Sequence, residues 1–243
     1  MTKVSSFDWS QLDRQTIFDI VYTLHDKIVN KTLTVEQLHG SVIRRLKNYF
    51  PIKAKKGLDT HVQKSWVYVG GAYYSDYDKD RETSIEVGLY FNPTDTHITM
   101  TPRRFSRFCI SIADTLLHEI IHMRQYRRRS FKILPGYEST ASRAKKRKEQ
   151  EYLGDKDEID AYSFNIACEL TERFNGSQHH IINYLNASQK GFMPKYNSWR
   201  MYLQAFGHDH THPVLRRVKK RVVHYLPKAT QGKPFRSFEW VTR

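Results

Sequence analysis

The sequence predicts an α+β fold: a small, mostly antiparallel sheet ahead of one long helix, with additional helices at both ends. Three observations carry this expectation. Runs of β-branched and aromatic residues are confined to 66–101, apolar residues on either side recur at helical spacing, and turn-forming residues separate the two textures.

Residues 8–30 place Ile17, Ile20, Val21, Leu24 and Ile28 at helical spacing, and 34–50 repeat the pattern with Thr34 and Gln37 positioned as a capping box. Pro51 and the KAKK run at 53–56 predict a break rather than an element. WVYVGGAYY (66–74) and SIEVGLYF (84–91) read as strands joined by a hairpin loop, SDYDKDRET. HITMT (97–101) is a short third strand after the Asn92-Pro93 turn. Helical periodicity resumes over 103–129, followed by a basic loop with Pro135 and Gly136 and a short charged helix over 142–152. A well-signalled helix over 154–174 has Asp155 as its N-cap, and further helices are expected over 177–188, 196–206 and 213–225. From Lys228 the tail is expected to be loose unless Phe235, Phe238 and Trp240 dock. The expected division is an N-terminal helical region (1–52), a core with the C-terminal helices (53–227) and a tail (228–243).

At 243 residues, 39% hydrophobic and 27% charged, the chain can bury a sizeable core. It shows no apolar run of membrane-spanning length and no apolar leader near its start, so the expected setting is intracellular with no membrane partner. Cys109 and Cys168 are too few and too far apart for a disulfide framework or a thiolate metal knuckle, and both sit among apolar neighbours. The formal net charge is +15, and the basic residues are clustered. Arg124–Lys148 holds ten basic residues against the single acid Glu138, and RRVKKR at 216–221 is a second block. These runs suit nucleic acid or another polyanion, or serve solubility alone.

The motif that carries chemistry is HEIIH at 118–122. Four residues apart on a helix, His118 and His122 can offer imidazole nitrogens to one ion, whereas Glu119 projects about 100° away. This arrangement suits two neutral nitrogens holding zinc and a carboxylate taking a proton from the water that the metal acidifies. The helical projection gathers Ser111, Asp114, Thr115, His118, His122 and Gln125 into one polar strip on a mostly apolar helix. A buried strip of this kind needs partners. A metal would supply them; a hydrogen-bonded pair of core histidines is the competing explanation.

A third ligand must come from elsewhere. Arg128 stands where a metzincin would place its third histidine, which excludes that class. Glu158 heads a polar strip with Tyr162, Asn165 and Glu169 on its own helix and is the foremost candidate. It competes with a capping role, since Asp155 and Glu158 are spaced as a capping pair. Asp155, Asp157, His179, His180 and the GHDHTH turn (207–212) are the rivals.

HEIIHMRQY followed by YLGDKDEIDAYSFNIA resembles the small zinc metallopeptidases of the gluzincin type, including peptidases encoded by bacteriophages, and the ImmA/IrrE group. The resemblance covers about 85–170. It implies a minimal zincin-like fold, one Zn2+ held by His118, His122 and Glu158, and Glu119 as the base. It also implies that the strand before the active helix, 84–91 or 97–101, can pair with an extended peptide. Larger gluzincins carry an aspartate four residues after the glutamate ligand; here Tyr162 stands there. Asn165 or Asp114 could instead orient a ligand, and Tyr137, Tyr152, Tyr162 or His179 could steady an oxyanion.

The expected function is a zinc-dependent peptidase acting on protein or peptide. One alternative is a zincin-fold protein associated with nucleic acid, either cleaving DNA-bound proteins as the SprT-like family does or binding without turnover. Another is a structural component of a phage particle that keeps a metal site. The phage resemblance would place the chain in host cytoplasm or virion.

Overall fold

The computed structural model describes residues 8–9, 12–187 and 198–229. The chain divides into two units, with the boundary after Phe131. The aromatic residues expected to dock the tail lie outside the described residues.

In the first unit the order is α1 (Arg14–Tyr22), α2 (His25–Ile28), β1 (Thr32–Thr34), α3 (Val35–Lys47), β2 (Ile52–Leu58), β3 (Val67–Tyr73), α4 (Ser75–Lys79), β4 (Ile85–Phe91), β5 (His97–Thr99) and α5 (Pro102–Arg128). Thr34 both closes β1 and caps α3: its hydroxyl accepts the Gln37 amide at 3.1 Å, while the Gln37 side chain accepts the Thr34 amide at 2.9 Å. Val35, Leu38, Val42 and Leu46 then form the buried stripe of α3.

The three-stranded sheet runs in the order β2-β4-β3, and β1 pairs with β5 in a separate antiparallel ribbon. β3 and β4 are antiparallel with Gly70 opposite Gly88, as expected of a hairpin, although its connection holds the short helix α4. The KAKK segment, expected to be a break, is instead the strand β2, parallel to β4 from Ile52↔Ile85 to Leu58↔Phe91. Backbone pairing with β4 overrides the poor strand propensity of lysine, and Lys55 and Lys56 remain exposed.

β4 carries the core of the sheet. Ile85, Val87, Leu89 and Phe91 are all fully buried, each worth about 2 kcal/mol of transfer free energy. α5 packs across this sheet, mainly on β3. Thr101 caps α5 by accepting the Arg104 amide, Pro102 occupies the first turn, and the helix ends in a Schellman closure: the Phe131 amide bonds Tyr126 O and the Ser130 amide bonds Arg127 O. Ser130 and Phe131 take φ of 52° and 61° there, so a non-glycine pair bears the left-handed turn.

Two ion pairs fix α5 to its neighbours. Arg14 on α1 donates from Nε and Nη2 to the two oxygens of Asp114, at 2.5 and 2.9 Å. Near the other end, Arg127 donates to both oxygens of Asp78, at 2.8 and 2.6 Å, and the Tyr73 hydroxyl donates to Asp78 at 2.8 Å. Asp78 thereby joins β3, α4 and α5.

The second unit contains α6 (Ala144–Gly154), α7 (Lys156–Arg173), α8 (Gln178–Asn186), α9 (Ser198–Ala205) and α10 (Pro213–Ala229). α7 packs chiefly on α10, and their core includes Ile159, Ile166, Leu170, Trp199, Leu215 and Val222. Arg221 of α10 is tied to Asp160 of α7, and the Tyr225 hydroxyl also donates to Asp160. Among the described residues, no helix is long and apolar enough to cross a membrane.

The Asp78 junction yields a stability prediction. Asp78→Ala leaves Arg127 and Tyr73 without their shared acceptor and is expected to lower unfolding free energy by about 2–3 kcal/mol, read by chemical denaturation. An unchanged midpoint would show that the junction adds nothing.

Candidate metal centre

The polar strip of α5 runs from exposed Ser111 through half-buried Asp114 and Thr115 to a buried stretch at His118 and His122. Phe105, Ile112, Leu116 and Ile120 pack into the core, and His118, Glu119 and His122 are exposed by only 7%, 7% and 8%. Helical phase brings the imidazoles together: the His118 and His122 Nε2 atoms lie 3.1 Å apart, with the rings inclined at 75°. Two imidazoles bound to one tetrahedral ion at about 2.1 Å would hold their nitrogens about 3.4 Å apart. The observed spacing needs only a small adjustment to admit an ion.

The other nitrogen of His122 is also engaged. His122 Nδ1 lies 3.0 Å from Gln125 Oε1. An Nδ1–H donating to that oxygen leaves the Nε2 lone pair facing His118, the tautomer a metal ligand needs. Gln125 belongs to the polar strip legible in the sequence, but its orienting role emerges only from this contact.

His118, His122 and Glu158 each offer a ligand atom, and these atoms all lie within 4.8 Å of one another; the group could hold a metal ion. Two imidazole nitrogens with one carboxylate oxygen suit a first-row transition ion better than calcium or magnesium. Asp155 caps α7 by accepting the Asp157 amide at 2.8 Å. The cap and the ligand group therefore use different carboxylates.

Glu158 has a tyrosine neighbourhood. The Tyr152 hydroxyl hydrogen-bonds to Glu158 and lies 3.3 Å from the Tyr162 hydroxyl. Burial of that hydroxyl first, then Tyr162 and Glu158, pushes the Tyr152 pKa up, so Tyr152 stays a neutral donor. Burial, reinforced by the Glu158 charge, likewise raises Tyr202.

The remaining sequence candidates lie as follows. Asp114 holds Arg14 with both oxygens, which assigns it to fixing α1 on α5. Asn165 is buried, and its Oδ1 has no hydrogen-bond partner among the described residues. Tyr137 packs edge-on against Phe206, and His179 is exposed and bonded to Asn183. In the GHDHTH turn, Asp209 binds Thr211 and His212 Nδ1 accepts the Val214 amide. Among the described residues, the turn forms no metal-ligand group.

One residue at the centre escaped the sequence reading. A Cβ on Gly71 of β3 would stand 2.7 Å from Glu119 Oε1 and 2.7 Å from Thr115 Cγ2. β3 passes so close to Glu119 that a side chain at this position would displace the Glu119 and Thr115 side chains. The Gly-Gly pair inside WVYVGGAYY was the available signal.

Comparison with protein-family models, with curated proteins and with solved structures finds no match to this chain.

Metal content provides the direct check on this geometry. The wild type is expected to bind one transition ion, Glu158→Ala to lose it, and Gln125→Ala to bind about 10–100-fold more weakly. Mass spectrometry and competition with a chromogenic chelator would measure this; equal affinity in all three would remove both assignments.

Proposed function

We propose that the chain is a zinc-dependent peptidase with a zincin-like active site of the gluzincin type. The observation that carries the proposal is the buried group of His118, His122 and Glu158 with Glu119 in the same helical turn as the imidazoles. Zinc bound there supplies Lewis acidity, making water a nucleophile near neutral pH and polarising the scissile carbonyl.

The chain's own residues do the rest. His118 and His122 provide neutral nitrogens, and Gln125 holds the His122 ring in its ligating tautomer. Glu119 takes the proton from the attacking water and passes it to the leaving amine. Tyr152 and Tyr162 hold and shield the Glu158 carboxylate through the Tyr152 hydrogen bond.

The position of β3 bears on the substrate. β4 has a partner on each side, so it offers no edge to a peptide, whereas β5, paired with β1, and β3, paired with β4, each have one strand partner. Among the described residues β3 is hydrogen-bonded only to β4, and its exposed Gly71 adjoins Glu119. An extended peptide added to this open edge would run its backbone past the base.

Glu119→Gln separates catalysis from binding. The variant is expected to retain zinc and fold while peptide cleavage falls by about 10²–10⁴-fold, the usual contribution of a positioned base. Unchanged turnover would eliminate the mechanism. Gly71→Ala tests the approach of β3: its added methyl is expected to displace Glu119, lowering kcat about 10²-fold with zinc content intact. Wild-type kinetics in that variant would dissociate β3 from the site.

A further inference from the structure

The second unit holds a cavity whose chemistry is distinct from that of the metal centre. It measures about 420 Å³ and is floored by the half-buried Tyr137, Gln150 and His212. The exposed Thr140, Ser142, Arg143 and Lys146 form its rim. The volume lies within the range of small-ligand sites.

The lining combines two donor-only cations, Arg143 and Lys146, with the hydroxyls of Tyr137, Thr140 and Ser142, which can each donate. Among the described residues, no carboxylate borders the cavity. Gln150, the one side chain there that could present a carbonyl oxygen, already accepts the Ser139 hydroxyl at 2.5 Å and donates to Ala205 O at 2.7 Å. His212 Nδ1 accepts the Val214 amide at 3.2 Å, which puts the ring proton on Nε2 and makes the free nitrogen a donor. The Arg143 and Lys146 side chains form no ion pair or hydrogen bond among the described residues. Their separation along the helix, three residues, places both over the same turn.

Local electrostatics sharpen this preference. Arg143 is the N-cap of α6 but provides no side-chain cap, and the first turn contains no acid. Lys145, Lys146 and Arg147 therefore crowd the positive end of a helix dipole, an arrangement unfavourable for the protein alone and relieved by a bound anion. The Arg147 Nε bond to Ala141 O, at 2.9 Å, holds the 139–143 loop against this turn.

We infer that this cavity is a binding site for a phosphate group, with Arg143 and Lys146 as its charged contacts and His212 and the rim hydroxyls as neutral donors. A guanidinium, an ammonium and several neutral donors without an opposing carboxylate match a tetrahedral oxyanion. The same chemistry is offered by a nucleic-acid strand and by a small phosphate compound. The site is independent of the peptidase reading.

The test uses the full chain with two probes: inorganic pyrophosphate by calorimetry, and a fluorescent single-stranded DNA oligonucleotide by anisotropy. Arg143→Ala/Lys146→Ala is compared with Lys148→Ala/Lys156→Ala, which removes equal charge from exposed positions outside the cavity lining. The cavity pair is expected to weaken binding by at least about 10-fold and the control pair by no more than about 2-fold. Oligonucleotide binding lost selectively in the cavity pair identifies a strand phosphate, and its dependence on salt should flatten by about two counterions. Selective pyrophosphate binding without oligonucleotide binding identifies a small phosphate compound. Equal losses in the two double variants, or no binding of either probe at about 150 mM salt, would overturn the inference. Because all four substituted residues are exposed, unchanged circular dichroism is expected throughout.

Discussion

Two imidazole nitrogens 3.1 Å apart inside a mostly apolar helix set the conditions for the centre. Buried polar groups require compensation, and the hydrogen bond between the two rings supplies some of it. Gln125 lies within hydrogen-bond reach of the outer nitrogen of His122, and the inner nitrogens of the two rings face each other. The energetic case for a metal rests on this geometry together with a third oxygen donor, Glu158.

Holding the imidazoles there is the work of α5 as a rigid body. Arg14–Asp114 pins one stretch of the helix and Arg127–Asp78 another, on either side of the HEIIH turn. Both pairs are substantially shielded on the carboxylate side, so each carboxylate favours its guanidinium over solvent. The same constraint explains Gly71. β3 packs on α5, and a side chain at Gly71 would push aside the Glu119 and Thr115 side chains.

Basic residues have divided roles in this chain. Arg14, Arg127 and Arg221 are internal fasteners, each opposite one aspartate. Arg221 stands inside the second basic block, whose Val218 faces the core, so that run is partly a packing face rather than a uniform charged surface. Arg143 and Lys146 differ in forming no ion pair among the described residues and in bordering a cavity. Position relative to a carboxylate, rather than basicity alone, separates structural from binding charge.

The sequence by itself determined what depends on neighbours three or four residues away. The Thr34–Gln37 box, the Asp155 cap and the pairing of His118 with His122 all follow from short-range geometry. The choice of Glu158 also arose from a helical strip, although the sequence left its capping role open. Only tertiary structure could make KAKK a strand, because its hydrogen-bond partners lie on β4 some thirty residues away. Likewise, the Asp114 carboxylate is claimed by Arg14, 100 residues earlier in the chain, and Gly71 meets Glu119 across a sheet-helix contact. Local periodicity states which residues share a face; it does not state what that face meets, since the meeting is fixed by packing between segments distant in sequence.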